Sequence, residues 1–157
     1  MSVDNRILGD PGTPEFQVEK YPFFLLNRLV ARYNGMIEPR LRAIGLDIPY
    51  WRVLMILAEH DERGVRELAD AAVIPLSTMT RIVQRMANAK LIRLAASGDD
   101  GRVTIVSLRK AGRVKVAEAR SATAPIYARL IRGLSAREFD KMIGLFNMLH
   151  VNLEDGD

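Results

Sequence analysis

Residues 75–86 read PLSTMTRIVQRM, and this stretch decides the fold. Met79, Ile82, Val83 and Met86 fall at i, i+3, i+4 and i+7, the spacing of one apolar helical stripe. The opposite side carries Ser77, Thr80, Arg81, Gln84 and Arg85, with Thr78 near the helix start. No Asp or Glu occurs anywhere from 71 to 97. A solvated helix face ordinarily mixes both signs of charge. A face of small hydroxyls, one amide and guanidiniums suits a polyanion instead.

Upstream, residues 65–72 give a short helix with Val65, Leu68, Ala69 and Ala72 inward, and VIP (73–75) is a three-residue turn. Two short helices on a tight turn form a helix-turn-helix. Downstream the period changes from 3.6 to 2. LIRLAAS (91–97) and RVTIVSL (102–108) read as strands around the turn residues GDDG, so a hairpin wing follows the second helix. Helices are expected over 19–43, with Pro39 distorting or restarting the first, and over 49–60. A long helix is expected over about 110–132, with Pro125 kinking it. The last helix, over 135–153, opens on a capping box, Ser135 and Glu138. Residues 1–16 carry two prolines and two glycines and no apolar period, as in a loose arm.

The chain of 157 residues is 48% hydrophobic and 27% charged, the balance of a folded domain. Its longest apolar runs, such as FFLL (23–26) and VLMILA (53–58), fall far short of the ~20 residues of a membrane span, so no membrane partner is expected. The first residues have acids and no apolar core, which makes the cytoplasm the expected compartment. With no cysteine there is no disulfide framework or thiol sensor. Residues 63–115 hold eleven Lys/Arg against four Asp/Glu, a net +7, while the remainder holds twelve against fifteen, a net −3. A basic middle between mildly acidic arms fits a lobe that faces a polyanion, and equally a soluble domain whose charges happen to cluster.

The major groove admits one helix and offers donors and acceptors on base edges. Ser77, Arg81, Gln84 and Asn88 project opposite the apolar stripe, with Thr80 and Arg85 flanking. Arg can grip guanine and Gln can grip adenine, each for ~1–3 kcal/mol of discrimination. Ser77, Thr78 and Thr80 could hold phosphates near the helix start. In the wing, Arg102 lies two residues after Asp100, beside a Gly-containing tip. A wing-tip Arg can enter a narrow A·T-rich minor groove. A carboxylate accepting a hydrogen bond from it would fix its direction, and Asp100 is the expected partner.

Enzyme chemistry has no foothold. His60 and His150 are the only histidines and neither sits in a metal spacing such as HExxH. There is no Gly-rich phosphate loop and no GxSxG, and adjacent Asp99 and Asp100 would point apart on a strand. No catalytic residue, metal site or cofactor is expected.

Taken together, YWRVLMILAEH, VRELADAAVIPLSTMTRIVQRMANAKLIRL and DDGRVTIVSLRKAG resemble the MarR family of bacterial transcription regulators. The likeness covers about residues 21–153. STMTR at the helix start and the Asp-x-Arg at Asp100 and Arg102 are its most specific parts. The family's usual Gly in the helix-turn-helix turn is Val73 here, and the Gly ending the recognition helix is Lys90. The polar helix start is Pro75-Leu76, and the usual LT before the last long helices is Leu108-Arg109.

The resemblance implies a mainly α fold with a small β-hairpin wing, a winged helix-turn-helix, forming a homodimer through its N- and C-terminal helices. On that reading 1–18 is a flexible arm, 19–48 and 110–157 form the helical dimerisation region, and 49–109 is the DNA-binding lobe. Ser77, Thr78, Thr80, Arg81, Gln84 and Arg85 would meet the major groove, and Asp100 and Arg102 the minor groove, of a pseudo-palindromic operator. The apolar stretches YPFFLLNRLV and FDKMIGLFNMLHVNL support pairing, since burial between chains gains ~25 cal/mol per Å² of apolar surface. Many relatives release DNA on binding a small aromatic or phenolic anion, and Arg28, Trp51 and Met55 are the positions expected to hold it. The function implied is a sequence-specific, ligand-responsive repressor. Alternatives are an activator or occupancy protein without a small-molecule switch, and a winged helix used for protein contacts.

Overall fold

A computed structural model describes residues 4–154 of the chain. The elements, in order, are α1 (Asn5–Leu8), a 3-10 turn (Val18–Lys20), α2 (Pro22–Ala43), α3 (Ile48–Glu59), β1 (Glu62–Gly64) and α4 (Val65–Ala72). Then follow α5 (Leu76–Asn88), β2 (Ile92–Ala96), β3 (Thr104–Leu108), α6 (Lys110–Leu130) and α7 (Ala136–Glu154). They fall into two compact units, divided between Thr123 and Ala124 inside α6.

The core of the first unit gathers on the apolar stripe of α5. Met79, Val83 and Met86 are fully buried and Ile82 nearly so, beside Val53, Leu54 and Leu57 of α3 and Leu68 of α4. Asp47 opens α3: its carboxylate accepts from the Tyr50 N–H at 2.8 Å, and Pro49 lies in the first turn where no N–H is missed. α2 runs through Pro39 as one helix. Buried Ile37 and Leu41 flank the proline, and Lys115 of α6 donates to the Ile44 carbonyl at 2.7 Å just past the helix end. Those anchors offset the lost backbone bond.

The wing has one strand more than the hairpin expected. The sheet order is β1-β3-β2, all antiparallel, with Leu94 of β2 and Arg63 of β1 both opposite Val106. β1 is only three residues, two of them charged, so it carries no period-2 signature. It exists because β3 offers a free edge.

The described part of the arm expected over 1–16 carries local hydrogen-bonded structure. The Asp4 carboxylate caps α1 through the Arg6 N–H at 2.9 Å and also binds the Arg6 guanidinium at 2.7 Å. Those bonds hold its pKa down at about 2. The Gln17 N–H returns to the Leu8 carbonyl at 2.8 Å. One turn of helix is too short to show a period.

The two positions where the family would place glycine adopt glycine's conformation without it. Val73 has φ 55° and Lys90 has φ 60°. Val73 ends α4 with its N–H on the Asp70 carbonyl, while its side chain is 84% exposed. A β-branched residue there carries ~1–3 kcal/mol of strain, against ~0.5–1 kcal/mol of chain entropy that glycine would cost. Val73→Gly is expected to raise stability by ~1 kcal/mol. A urea-unfolding midpoint unchanged or lowered would contradict the strain.

In the second unit α7 opens on the expected capping box. The Ser135 N–H and hydroxyl donate to Glu138 at 2.8 and 2.7 Å, and the Glu138 N–H donates back to the Ser135 hydroxyl at 3.3 Å. These bonds lower the Glu138 pKa. No described residue of α7 is buried in the single chain: Ile143, Leu145, Phe146 and Leu149 stand exposed.

Candidate nucleic-acid interface

The buried stripe of α5 fixes its rotation, and so fixes what it presents. Ser77, Thr78, Thr80, Arg81, Gln84 and Arg85 are all exposed. None of the three N-terminal hydroxyls caps the helix, whose N-cap is Pro75. The Thr80 hydroxyl donates to the Leu76 carbonyl at 2.9 Å, so its proton is engaged and its lone pairs face out as acceptors. Arg85 flanks the face toward α3. Burial first, then the Asp47 carboxylate, push the Tyr50 phenol pKa up, and the Arg85 charge partly offsets them.

Asp100 and Arg102 sit exposed at the wing tip. Their bond differs from the one expected. The Asp100 carboxylate accepts from the backbone N–H of Arg102 at 3.0 Å, and the guanidinium is not the donor. Together with the Val103 N–H on the Asp100 carbonyl at 2.9 Å, this closes a tight turn. The Ser97 hydroxyl accepts from the Asp99 N–H at 3.3 Å, and the Ser97 N–H reaches the Val103 carbonyl at 2.8 Å. Asp100 therefore shapes the loop that carries Arg102, rather than aiming its side chain.

Helix and wing are brought together. A cleft of about 270 Å³ between them has Arg66 of α4, Leu76, Thr80 and Gln84 of α5, and Arg102 and Thr104 of the wing among its walls. Two guanidiniums line it and no carboxylate does. The sequence reading did not single out Arg66, although its basic charge in the first turn of α4 was visible.

The three residues expected at a small-molecule site divide. An open cavity of about 740 Å³ is lined by Leu26 and Val30 of α2, Trp51, Arg52 and Met55 of α3, and Val73 after α4. Trp51 and Met55 belong to it. Arg28 does not: at 100° per residue it lies about 200° from both Leu26 and Val30, on the other side of α2. Its guanidinium stands 5.6 Å from the Phe24 ring centroid, a cation–π contact. The cation in the cavity wall is Arg52, which donates to the Ala72 carbonyl at 3.1 Å. The Trp51 indole N–H itself is buried, out of reach of solvent and without a hydrogen-bond partner.

Comparison with known proteins gives the family. The MarR family profile matches residues 44–103. The HTH-type transcriptional repressor IacR of Pseudomonas putida is 36% identical over 92% of this chain and 87% of its own length. A MarR family transcriptional regulator from Silicibacter pomeroyi superposes with a TM-score of 0.81 at 26% identity, over 89% of this chain and 94% of that one. The structure of Bordetella bronchiseptica BpsR superposes with a TM-score of 0.70 at 21% identity, over 80% of this chain and 96% of that one. An acid-free recognition helix braced by a buried stripe, a wing beside it, and this extent of likeness agree: the chain belongs to the MarR family of winged-helix transcriptional regulators, which are not enzymes.

Proposed function

We propose that the chain is a homodimeric repressor that binds a pseudo-palindromic operator in the cytoplasm and leaves it on binding a small aromatic anion. The exposed face of α5, free of carboxylates and carrying Arg81, Gln84 and Arg85, is the observation that carries the reading. In it Ser77, Thr78, Thr80, Arg81, Gln84 and Arg85 meet the major groove, and Arg102, on the loop closed by Asp100, meets the minor groove. Similarity to a protein named as a repressor supports the sign of regulation. Pairing is supported by Phe23, Phe24, Leu25 and Leu29 on α2 and by the exposed apolar residues of α7, an apolar surface that soluble monomers avoid. Two copies would set two recognition helices about one helical turn, ~34 Å, apart on the duplex.

For the anion, a ring would lie against Trp51 and Met55, and Arg52 would meet its charge. The BpsR structure concerns regulation of that protein's DNA binding by 6-hydroxynicotinic acid, a ligand of this chemical class. A hundredfold release of DNA requires the ligand to favour the mis-spaced dimer by about 2.8 kcal/mol.

The experiment is selection of bound fragments from the source genome by the purified protein. Recovery of one palindromic sequence is the result expected; fragments with no shared sequence would contradict operator recognition. On such a fragment Arg102→Ala is expected to weaken binding most where the flanks are A·T-rich. An equal loss on every flank, measured by fluorescence anisotropy, would mean that the wing does not read groove width.

A further inference from the structure

A helix in the major groove and a hairpin in the neighbouring minor groove are separated by one sugar–phosphate strand. That strand has to cross the gap between helix and wing. Here the gap is the cleft of about 270 Å³ described above, roomy enough for a phosphate group and part of its sugar. Val83 and Val103 are among its apolar lining residues, and Arg66, Thr80, Gln84, Arg102 and Thr104 supply the polar part.

We infer that this cleft seats one phosphate of the DNA backbone and that Arg66 is its main cationic ligand. Arg66 is exposed on the first turn of α4, and among the described residues it takes part in no ion pair. Its chain neighbour Glu67 is turned away, with its carboxylate accepting from the Gly64 N–H at 2.9 Å. Asp70, one turn along the same helix, forms no ion pair with it either. The guanidinium is thus an unspent charge beside the path of the backbone. A phosphate there positions the protein on the duplex without reading sequence. It also ties the helix-turn-helix to the wing, because one anion spans α4 and the wing.

The inference rests on the duplex-binding reading above, and its test separates the two. Full-length wild-type, Arg66→Gln and Arg66→Lys proteins are titrated against a genome-selected duplex and a mixed-sequence duplex over a range of KCl. Loss of one phosphate contact flattens the plot of log K against log salt by about 0.9 for each chain bound. Arg66→Gln is expected to show that flattening and to lose affinity by the same factor on both duplexes. Arg66→Lys, which keeps the charge, is expected to retain the wild-type slope. An unchanged slope in Arg66→Gln, or a loss confined to the selected duplex, would overturn the inference while leaving wild-type binding in place. Wild-type protein that binds neither duplex would sink the underlying reading instead.

Discussion

Gly112→Ala is expected to be among the most damaging single-methyl changes in the chain. Gly112 is buried in the first turn of α6, where a Cβ would stand 2.2 Å from the Leu91 carbonyl oxygen and 3.0 Å from the Leu108 side chain. The same carbonyl accepts from the Arg109 N–H at 2.9 Å. Leu91 lies between the end of α5 and the start of β2, and Arg109 between β3 and α6. This one contact therefore bolts the recognition helix, both long strands of the wing and α6 together. A methyl group has to push the carbonyl aside by about 1 Å to reach ordinary contact, which strains the backbone and weakens the Arg109 bond. A loss of ~3 kcal/mol, or roughly 10 °C in Tm for a chain of this size, is the expected outcome. Gly98→Ala is the control: nothing lies within 4 Å of its added Cβ, so a change within ~0.5 kcal/mol is expected. Equal melting temperatures for the two variants would contradict the close approach.

Arg81→Ala is expected to remove sequence preference rather than attraction. Arg81 lies mid-way along the outward stripe of Ser77, Gln84 and Asn88, opposite Met79 and Met86. On the proposed docking a guanidinium there would reach base edges in the floor of the groove. Losing a bidentate contact costs ~1–3 kcal/mol per half-site, so affinity for the selected duplex falls by roughly ten- to a hundredfold per half-site. Affinity for mixed-sequence DNA changes much less. The pattern is the reverse of that expected for Arg66→Gln, where both duplexes lose alike. Equal losses on both duplexes in Arg81→Ala would make Arg81 a phosphate contact and move the base reading elsewhere.

What the sequence disclosed follows from how local each feature is. The stripe of Met79, Ile82, Val83 and Met86 was legible because helical periodicity and burial are one fact, and all four are buried. The Ser135–Glu138 box was legible because it is closed within four residues. The turn at Val73 was readable as the break VIP between two helical periods, but a valine gives no signal of the left-handed backbone it adopts, φ 55°. β1 was hidden because its pairing with β3 joins residues more than forty apart, Arg63 to Val106, with no alternation of its own. Asp100 was correctly placed in the wing turn, but side-chain proximity in sequence does not reveal that the backbone N–H is the donor. Arg28 was chosen by position along α2, and helical rotation puts it away from the cavity that Arg52 lines. Arg66 was overlooked because its relevance arises only when α4, α5 and the wing converge.

The central claim is that the acid-free face of α5, with the wing beside it, is built to lie on duplex DNA. The most direct measurement is the affinity of the purified full-length protein for genome-selected duplex from dilute to physiological salt. A complex that forms readily in dilute buffer and weakens log-linearly as salt rises, with a slope set by several phosphate contacts, is the result predicted. No complex at any ionic strength would contradict the claim.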